Sequence, residues 1–242
     1  MSTRLVNLVA DAADPAASGH WWAEALGWEV TFETRHEVAV EPPEPGGLGI
    51  PLVFVPVADT KTVPNRVHLD LASPSAAAQA ALVARLLDLG ATLADVGQGQ
   101  VPWVVLADPD GNEFCVLEPR DRYRDTGPLA AVVMAAADPV ALARFWAEAA
   151  AWPLAGADDQ LATLRHPSGR GPFLELVRSS APKVTKNRLH IDLAPHPGDD
   201  PEAEVARLLD LGATPADIGQ GQVPWTVLAD LEGNEFCVLS PR

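Results

Sequence analysis

Four blocks of this 242-residue chain occur twice, and that duplication constrains the fold more than any other feature. Asn65-Arg66-Val67-His68-Leu69-Asp70-Leu71 returns as Asn187-Arg188-Leu189-His190-Ile191-Asp192-Leu193, and segment 84–92 returns unchanged as 206–214. Segment 97–103 recurs as 219–225, and 111–117 as 233–239. From Asn65 onward roughly 40 of 56 positions match without a gap, which marks a repeat rather than biased composition. Upstream the match is looser: Asp14-Pro15 and Trp22-Ala23-Glu24-Ala25 answer to Asp138-Pro139 and Trp146-Ala147-Glu148-Ala149. A unit of about 120 residues is an ordinary domain. The sequence therefore divides into domain 1–121, a polar linker 122–128 ending in Gly127-Pro128, and domain 129–242.

Within one repeat the elements follow from capping and periodicity. An apolar strand is expected over 5–10, then a helix started by Asp14-Pro15, carrying Trp22 and Leu26 inward and ended by Gly27. Strands are expected over 28–32, 37–40 and 52–57, divided by Pro- and Gly-rich turns. A second run follows: a strand over 66–72, a helix over 77–89 with Leu82, Leu86 and Leu89 on one stripe, and a hairpin of 103–107 with 113–117. Asp108-Pro109-Asp110-Gly111 suits a type I turn. Each repeat thus reads as two β-α-β-β-β modules, an α+β fold with four modules in the chain.

A formal charge of −16 argues against a nucleic-acid or anionic membrane partner, because both need a basic face. No apolar run reaches the ~20 residues of a membrane span, and the first ten residues lack the pattern of a signal peptide. Two cysteines cannot build a disulfide framework, so a cytoplasmic protein is expected.

Paired modules, the blocks Asn-Arg-x-His-x-Asp-Leu and Gly-Asn-Glu-Phe-Cys-Val-Leu, and the Asp-Pro-Asp-Gly-Asn turn resemble the vicinal-oxygen-chelate superfamily. That superfamily comprises glyoxalases, bleomycin-resistance proteins and dioxygenases, and the likeness is to its glyoxalase-like branch. The resemblance implies that two modules curl into a cleft for a small ligand, where active members hold a divalent metal on His, Gln and Glu. Carried onto this chain, the ligand places in the first repeat are Asn7, Phe54, His68 and Cys115. In the second they are Ala131, Glu175, His190 and Cys237. The departures favour a cleft without metal or other cofactor. The alternative is zinc or iron on Glu175, His190 and Cys237, a mixed set suited better to zinc than to magnesium or manganese. The iron set of an extradiol dioxygenase would fall on Ala131, His190 and Cys237, which disfavours that reaction.

Strand alternation gives a reading independent of the resemblance. Arg66, His68 and Asp70 share one face of their strand, and Glu113, Cys115 and Leu117 share one face of theirs. These mixed faces, with His190, Asp192, Glu235 and Cys237 in the second repeat, are expected to look into the clefts. Each residue also has a plainer reading: Arg66 with Asp70 and Arg188 with Asp192 as ion pairs, Glu113 and Glu235 as solvated rim residues, and the cysteines as packed side chains. His68 and His190 either contact ligand or hydrogen-bond within the wall. Trp22 and Trp146 belong to the core; the facing of Trp103 and Trp225 depends on hairpin register. Two function classes result: a metal-free binder of an apolar or aromatic small molecule, as in sequestration or resistance, or a metal-dependent lyase, isomerase or dioxygenase centred on the second repeat. The chain is expected to be a monomer or homodimer.

Overall fold

A computed structural model of the protein describes residues 3–43 and 49–242. Part of the Pro- and Gly-rich turn expected after the third strand, and the first two residues, lie outside this range. Four modules follow in order. The first is β1 (Thr3–Ala12), α1 (Pro15–Leu26), β2 (Glu29–Glu33), β3 (Val38–Glu41) and β4 (Leu52–Pro56). The second is β5 (Val67–Leu71), α2 (Ala76–Asp88), β6 (Thr92–Leu93), β7 (Val104–Ala107) and β8 (Glu113–Val116). The third is β9 (Leu129–Ala136), α3 (Pro139–Ala150), β10 (Leu154–Ala157), β11 (Leu161–Arg165) and β12 (Phe173–Arg178). The fourth is β13 (Leu189–Pro195), α4 (Pro201–Asp210), β14 (Thr214–Pro215), β15 (Thr226–Ala229) and β16 (Glu235–Val238). The two-residue strands β6 and β14 complete their modules; each is too short to show alternation in sequence.

The helices begin where their caps dictate. The Asp14 side chain accepts from the backbone N–H groups of Ala16 and Ala17, Pro15 enters the first turn, and Gly27 closes α1 at φ 67°. The turn after β7 closes through the Gly111 N–H donating to the Asp108 carbonyl at 2.8 Å.

The sheets do not follow the repeats. One eight-stranded sheet, sheet I, runs β14-β15-β16-β13-β1-β4-β3-β2, and the other, sheet II, runs β10-β11-β12-β9-β5-β8-β7-β6. Module one therefore shares a sheet with module four, and module two with module three. The seams are antiparallel pairings of first strands: Asn7 faces Asp192 and Val9 faces His190 across β1 and β13. Asp70 faces Ala131 and His68 faces Val133 across β5 and β9. The assignment of ligand places repeat by repeat is corrected here, because every cleft wall takes one module from each repeat.

What the modules of one repeat share is a core. Trp22 on α1 packs edge-on against Phe114 of β8, ring centroids 5.2 Å apart, and its Nε1–H donates to Asp108 Oδ2 at 3.0 Å. Trp146, Phe236 and Asp230 repeat this arrangement, with the indole donating at 3.0 Å. Burial pushes both carboxyls upward from their usual range, while the Asn112 or Asn234 and indole donors pull the other way. Arg85 of α2 donates to the carbonyls of Glu24 and Ala25 at the end of α1, and Arg207 of α4 donates to that of Glu148. Helix faces and sheet backs form one continuous apolar cluster that includes Leu8, Trp22, Phe54, Leu71, Phe114, Trp146 and Phe236.

The seam makes a prediction about fragments. Residues 1–121 alone expose the edges of both β1 and β5, which are central strands in the full chain, and exposed central edges invite pairing with other chains. The fragment is expected to dimerise or aggregate in size-exclusion chromatography with light scattering. Addition of 122–242 should return a species of full-length mass. A monomeric 1–121 with a cooperative thermal transition would contradict the seam.

Candidate functional site: two clefts of unlike content

Each sheet has a helix-covered side and a free side, and strand alternation places the polar residues on the free side. On β5 and β13 the residues Val67, Leu69, Leu71, Leu189, Ile191 and Leu193 join the core, leaving His68, Asp70, His190 and Asp192 facing the clefts. Parallel pairing then sets Cys115 beside Asp70 and Cys237 beside Asp192. The result is one His–Asp–Cys cluster in each sheet, with donor atoms all within 4.8 Å of one another. His68 Nε2 lies 3.3 Å from Asp70 Oδ1, and His190 Nε2 lies 3.5 Å from Asp192 Oδ1 and 3.5 Å from Cys237 Sγ. Asp70 Oδ1 and Asp192 Oδ1 are buried and accept no hydrogen bond. Asp192 uses its other oxygen, Oδ2, to accept from Asn7 Nδ2 at 2.8 Å. Burial first, and the neighbouring aspartates second, push both thiols well above their usual range, so they stay protonated.

The other half of each cleft differs. In sheet II, Glu175 stands across from Val133 on β9, on the free side of β12 and only 4% exposed. The linker reaches it. Residues Asp121–Tyr123 form a short 3-10 turn that inserts Tyr123, whose hydroxyl donates to Glu175 Oε1 at 3.0 Å. Arg122 Nη2 meets the same oxygen at 2.9 Å. Burial pushes the Glu175 carboxyl up, opposed by Arg122 and the Tyr123 hydroxyl. Tyr123, Phe173, Val105, Leu117, Ala131 and Val133 form a second buried cluster filling this cleft.

In sheet I the residue in register with Glu175 is Val53, which stands across from Val9 on β1. The expectation at Phe54 is thus one residue off: Phe54 is 2% exposed within the core beneath α1, on the opposite face. Val53 and Val55 remain half-buried on the free side, and Trp225 is exposed. Its counterpart Trp103 packs against the filled cleft of sheet II with the Arg120 guanidinium 5.7 Å over its ring. Trp103 thus stands against the cleft of sheet II, while Trp225 is open to solvent.

Other sequence candidates take structural roles. Glu113 accepts from Lys61 Nζ at 2.5 Å and from the Asn65 N–H at 3.0 Å, and Glu235 does the same with Lys183 at 2.6 Å and Asn187 at 3.1 Å. They clamp the segments that lead into β5 and β13. The expected ion pairs Arg66–Asp70 and Arg188–Asp192 do not form. Arg66 instead donates to the Ala135 and Ala181 carbonyls, and Arg188 to those of Asp11 and Asp59, which ties the two repeats together. Two cavities of about 420 and 360 Å³ flank the sheets. The first lies beside the linker along Tyr123 and Arg120; the second lies between the starts of β1 and β4 and the loop that includes His166 and Arg170.

Comparison with known proteins agrees with this architecture. The profile of the glyoxalase-like domain matches residues 7–117 and again 131–239. The chain belongs to the glyoxalase-like domain family. Glyoxalase I of Zea mays superposes with a TM-score of 0.66 at 14% identity, over 99% of this chain and 92% of that one. A candidate dioxygenase of Bacillus subtilis superposes with a TM-score of 0.60 at 13% identity, over 99% and 86%. At such identities the likeness shows the tandem vicinal-oxygen-chelate fold and not the reaction. No curated protein matches the sequence. No helix among the described residues is long and apolar enough to cross a membrane.

For this glyoxalase-like chain the metal places expected of the superfamily are broken in both clefts. Sheet I combines Asn7 and Val53 with His190 and Cys237, and sheet II combines Ala131 and Glu175 with His68 and Cys115. The alternative set Glu175, His190 and Cys237 is not brought together, since Glu175 lies in sheet II and the other two in sheet I. Glu175 is moreover engaged by Arg122 and Tyr123. The sets that do converge are His68, Asp70 and Cys115 in sheet II and His190, Asp192 and Cys237 in sheet I. Tetrahedral zinc with bonds of about 2.0–2.3 Å places its donors roughly 3.3–3.6 Å apart, and the His190 distances of 3.5 Å to both partners match this. The open Asp192 Oδ1 fits the same reading.

Both thiols are buried and held protonated, so the native protein should show no reactive cysteine toward an aromatic disulfide reagent at pH 7.5, and two after denaturation. Rapid native reaction of either thiol would show an open, ionised site.

Proposed function

We infer that the protein binds a flat, mostly apolar small molecule in the cleft of sheet I, independently of metal. The observation that carries this reading is the contrast between the clefts: sheet II is filled by its own linker, whereas sheet I leaves Val53 and Val55 half-buried beside Asn7, His190 and Asp192, with Trp225 exposed. Apolar lining with a few convergent polar groups is the usual make-up of a small-molecule site. His190 supplies a hydrogen-bonding nitrogen, Asp192 an acceptor, and the valines a flat floor. Sequestration requires nothing further of these groups.

An uncharged naphthylamine fluorophore provides the test. It should bind at micromolar concentration, quench tryptophan emission, and bind equally well in the presence of a chelator. Loss of a polar contact that leaves a ligand group unpaired costs about 1–3 kcal/mol, so His190→Ala should weaken binding roughly 5- to 100-fold. His68→Ala should leave it unchanged, because its cleft is already filled. The reverse ranking of the two variants would assign the ligand to sheet II.

A second reading is favoured by the open Asp192 oxygen and the donor spacing around His190. Zinc held by His190, Asp192 and Cys237 would act as a Lewis acid toward a ligand oxygen, the chemistry of a metal-dependent lyase or isomerase. Under this reading, protein reloaded with zinc after chelation retains the ion through dialysis. Asp192→Asn and Cys237→Ser abolish retention, and Glu175→Ala does not. Retention that depends on Glu175 would rule out this ligand set.

A further inference from the structure

We propose that the free face of sheet II is a phenol-binding site, occupied in cis by Tyr123 of the linker and open to a free phenol that displaces it. The proposal concerns a different cleft from the one assigned above and stands apart from that reading. Three features of the pocket carry the proposal, and the first distinguishes a phenol from a plain apolar ring.

The first is the acceptor. Glu175 is 4% exposed, and its Oε1 takes the Tyr123 hydroxyl at 3.0 Å. Without that donor the buried carboxylate would keep Arg122 as its only described partner. Burial and the adjacent Glu175 both push the Tyr123 phenol up, so it remains a hydroxyl donor. The second is the ring site. The Tyr123 ring meets Phe173 edge-on with centroids 5.8 Å apart, over a floor that includes Ala131 and Val133. While Tyr123 is docked, the Arg122 guanidinium lies 5.1 Å from its ring centre and 4.9 Å from that of Phe173, so Arg122 belongs to the tethered occupant and leaves with it. The third is access. The cavity of about 420 Å³ adjoins Tyr123 and is bounded by Arg120, Glu118 and Ser73.

The occupant is also the kind that can leave. Tyr123 belongs to a one-turn segment between the two repeats, and Arg124 beside it is largely exposed. A tethered side chain competes at an effective concentration on the order of millimolar, so a free phenol must be supplied in excess of that, at about 10 mM. Displacement would release Arg122 from Glu175 and expose the linker.

Trypsin reports this directly in the unmodified protein. p-Cresol at about 10 mM is expected to raise the rate of cleavage after Arg122 several-fold, read by mass spectrometry, and toluene near saturation is not. Calorimetry on Tyr123→Ala gives the second measurement: p-cresol binds at least tenfold more tightly than to the wild type, and Glu175→Ala in the same background removes that gain. Cleavage in the wild type that ignores p-cresol, or responds equally to toluene, overturns the proposal, whether or not Tyr123→Ala folds. A folded Tyr123→Ala that gains no affinity for p-cresol overturns it as well.

Discussion

The antiparallel pairing of first strands across the two repeats is the constraint on which the rest of this structure depends. β1 pairs with β13 and β5 with β9, so each sheet is closed at its centre by backbone hydrogen bonds between halves far apart in sequence. Central strands carry both their ladders inside the sheet, and no unpaired edge is left at the seam. The arginines of the Asn-Arg motif reinforce the same seam by donating to carbonyls of the opposite repeat. Packing within a repeat follows a different logic, through Trp22 or Trp146 against the last hairpin of the neighbouring module. The indole–phenylalanine contacts therefore join modules within a repeat, whereas strand pairing joins modules of different repeats. The two do not coincide.

That separation explains why one short segment can make the clefts unequal. Residues 122–128 join β8 to β9, both of which belong to sheet II, so the linker necessarily passes by that sheet and not the other. Tyr123 enters because three groups there reward it: a buried carboxylate, an aromatic edge and an apolar floor. Val53 and Asn7 in sheet I offer no comparable acceptor at the Glu175 position. The asymmetry is thus set by a few side chains on strands of modules one and three rather than by any change of fold.

The repeat, the four modules, the caps and the free faces of β5, β8, β13 and β16 were legible in sequence because each leaves a local mark. Duplicated blocks announce the modules, Asp-Pro and Gly announce helix ends, and alternation separates His68 and Asp70 from Val67 and Leu69. Leu52-Val53-Phe54-Val55 carries no such mark. All four residues are apolar, so alternation cannot say which face is which, and a slip of one residue exchanges the faces. In the third module Glu175 supplies the missing polar marker, and its cleft position was readable. The partner of Glu175 was not, because which first strands pair is a long-range choice that a repeat pattern does not encode. The pairing of Arg66 failed for a related reason: its acceptors, two carbonyls together with Glu232 and Asn234, all belong to the other repeat and are invisible along its own strand. The linker read as polar punctuation, and Tyr123 within it, the sole tyrosine of the chain, was the one available signal that it docks.

The strand exchange also gives the duplication a consequence for ligand choice. Modules two and four match closely over roughly 40 of 56 positions, whereas modules one and three match loosely. Had each repeat closed on itself, a cleft would pair module one with two, and three with four. The observed seams give each sheet one module of the near-constant kind and one of the divergent kind just as that would, but from opposite repeats. The same His–Asp–Cys group therefore faces Asn7 and Val53 in sheet I, and Ala131 and Glu175 in sheet II. A substitution in the first module changes the surroundings of His190, 65 residues beyond the linker's Asp125, and leaves those of His68 in its own repeat untouched. The chemistry of each cleft is therefore composed of a fixed polar group from one repeat and a variable wall from the other.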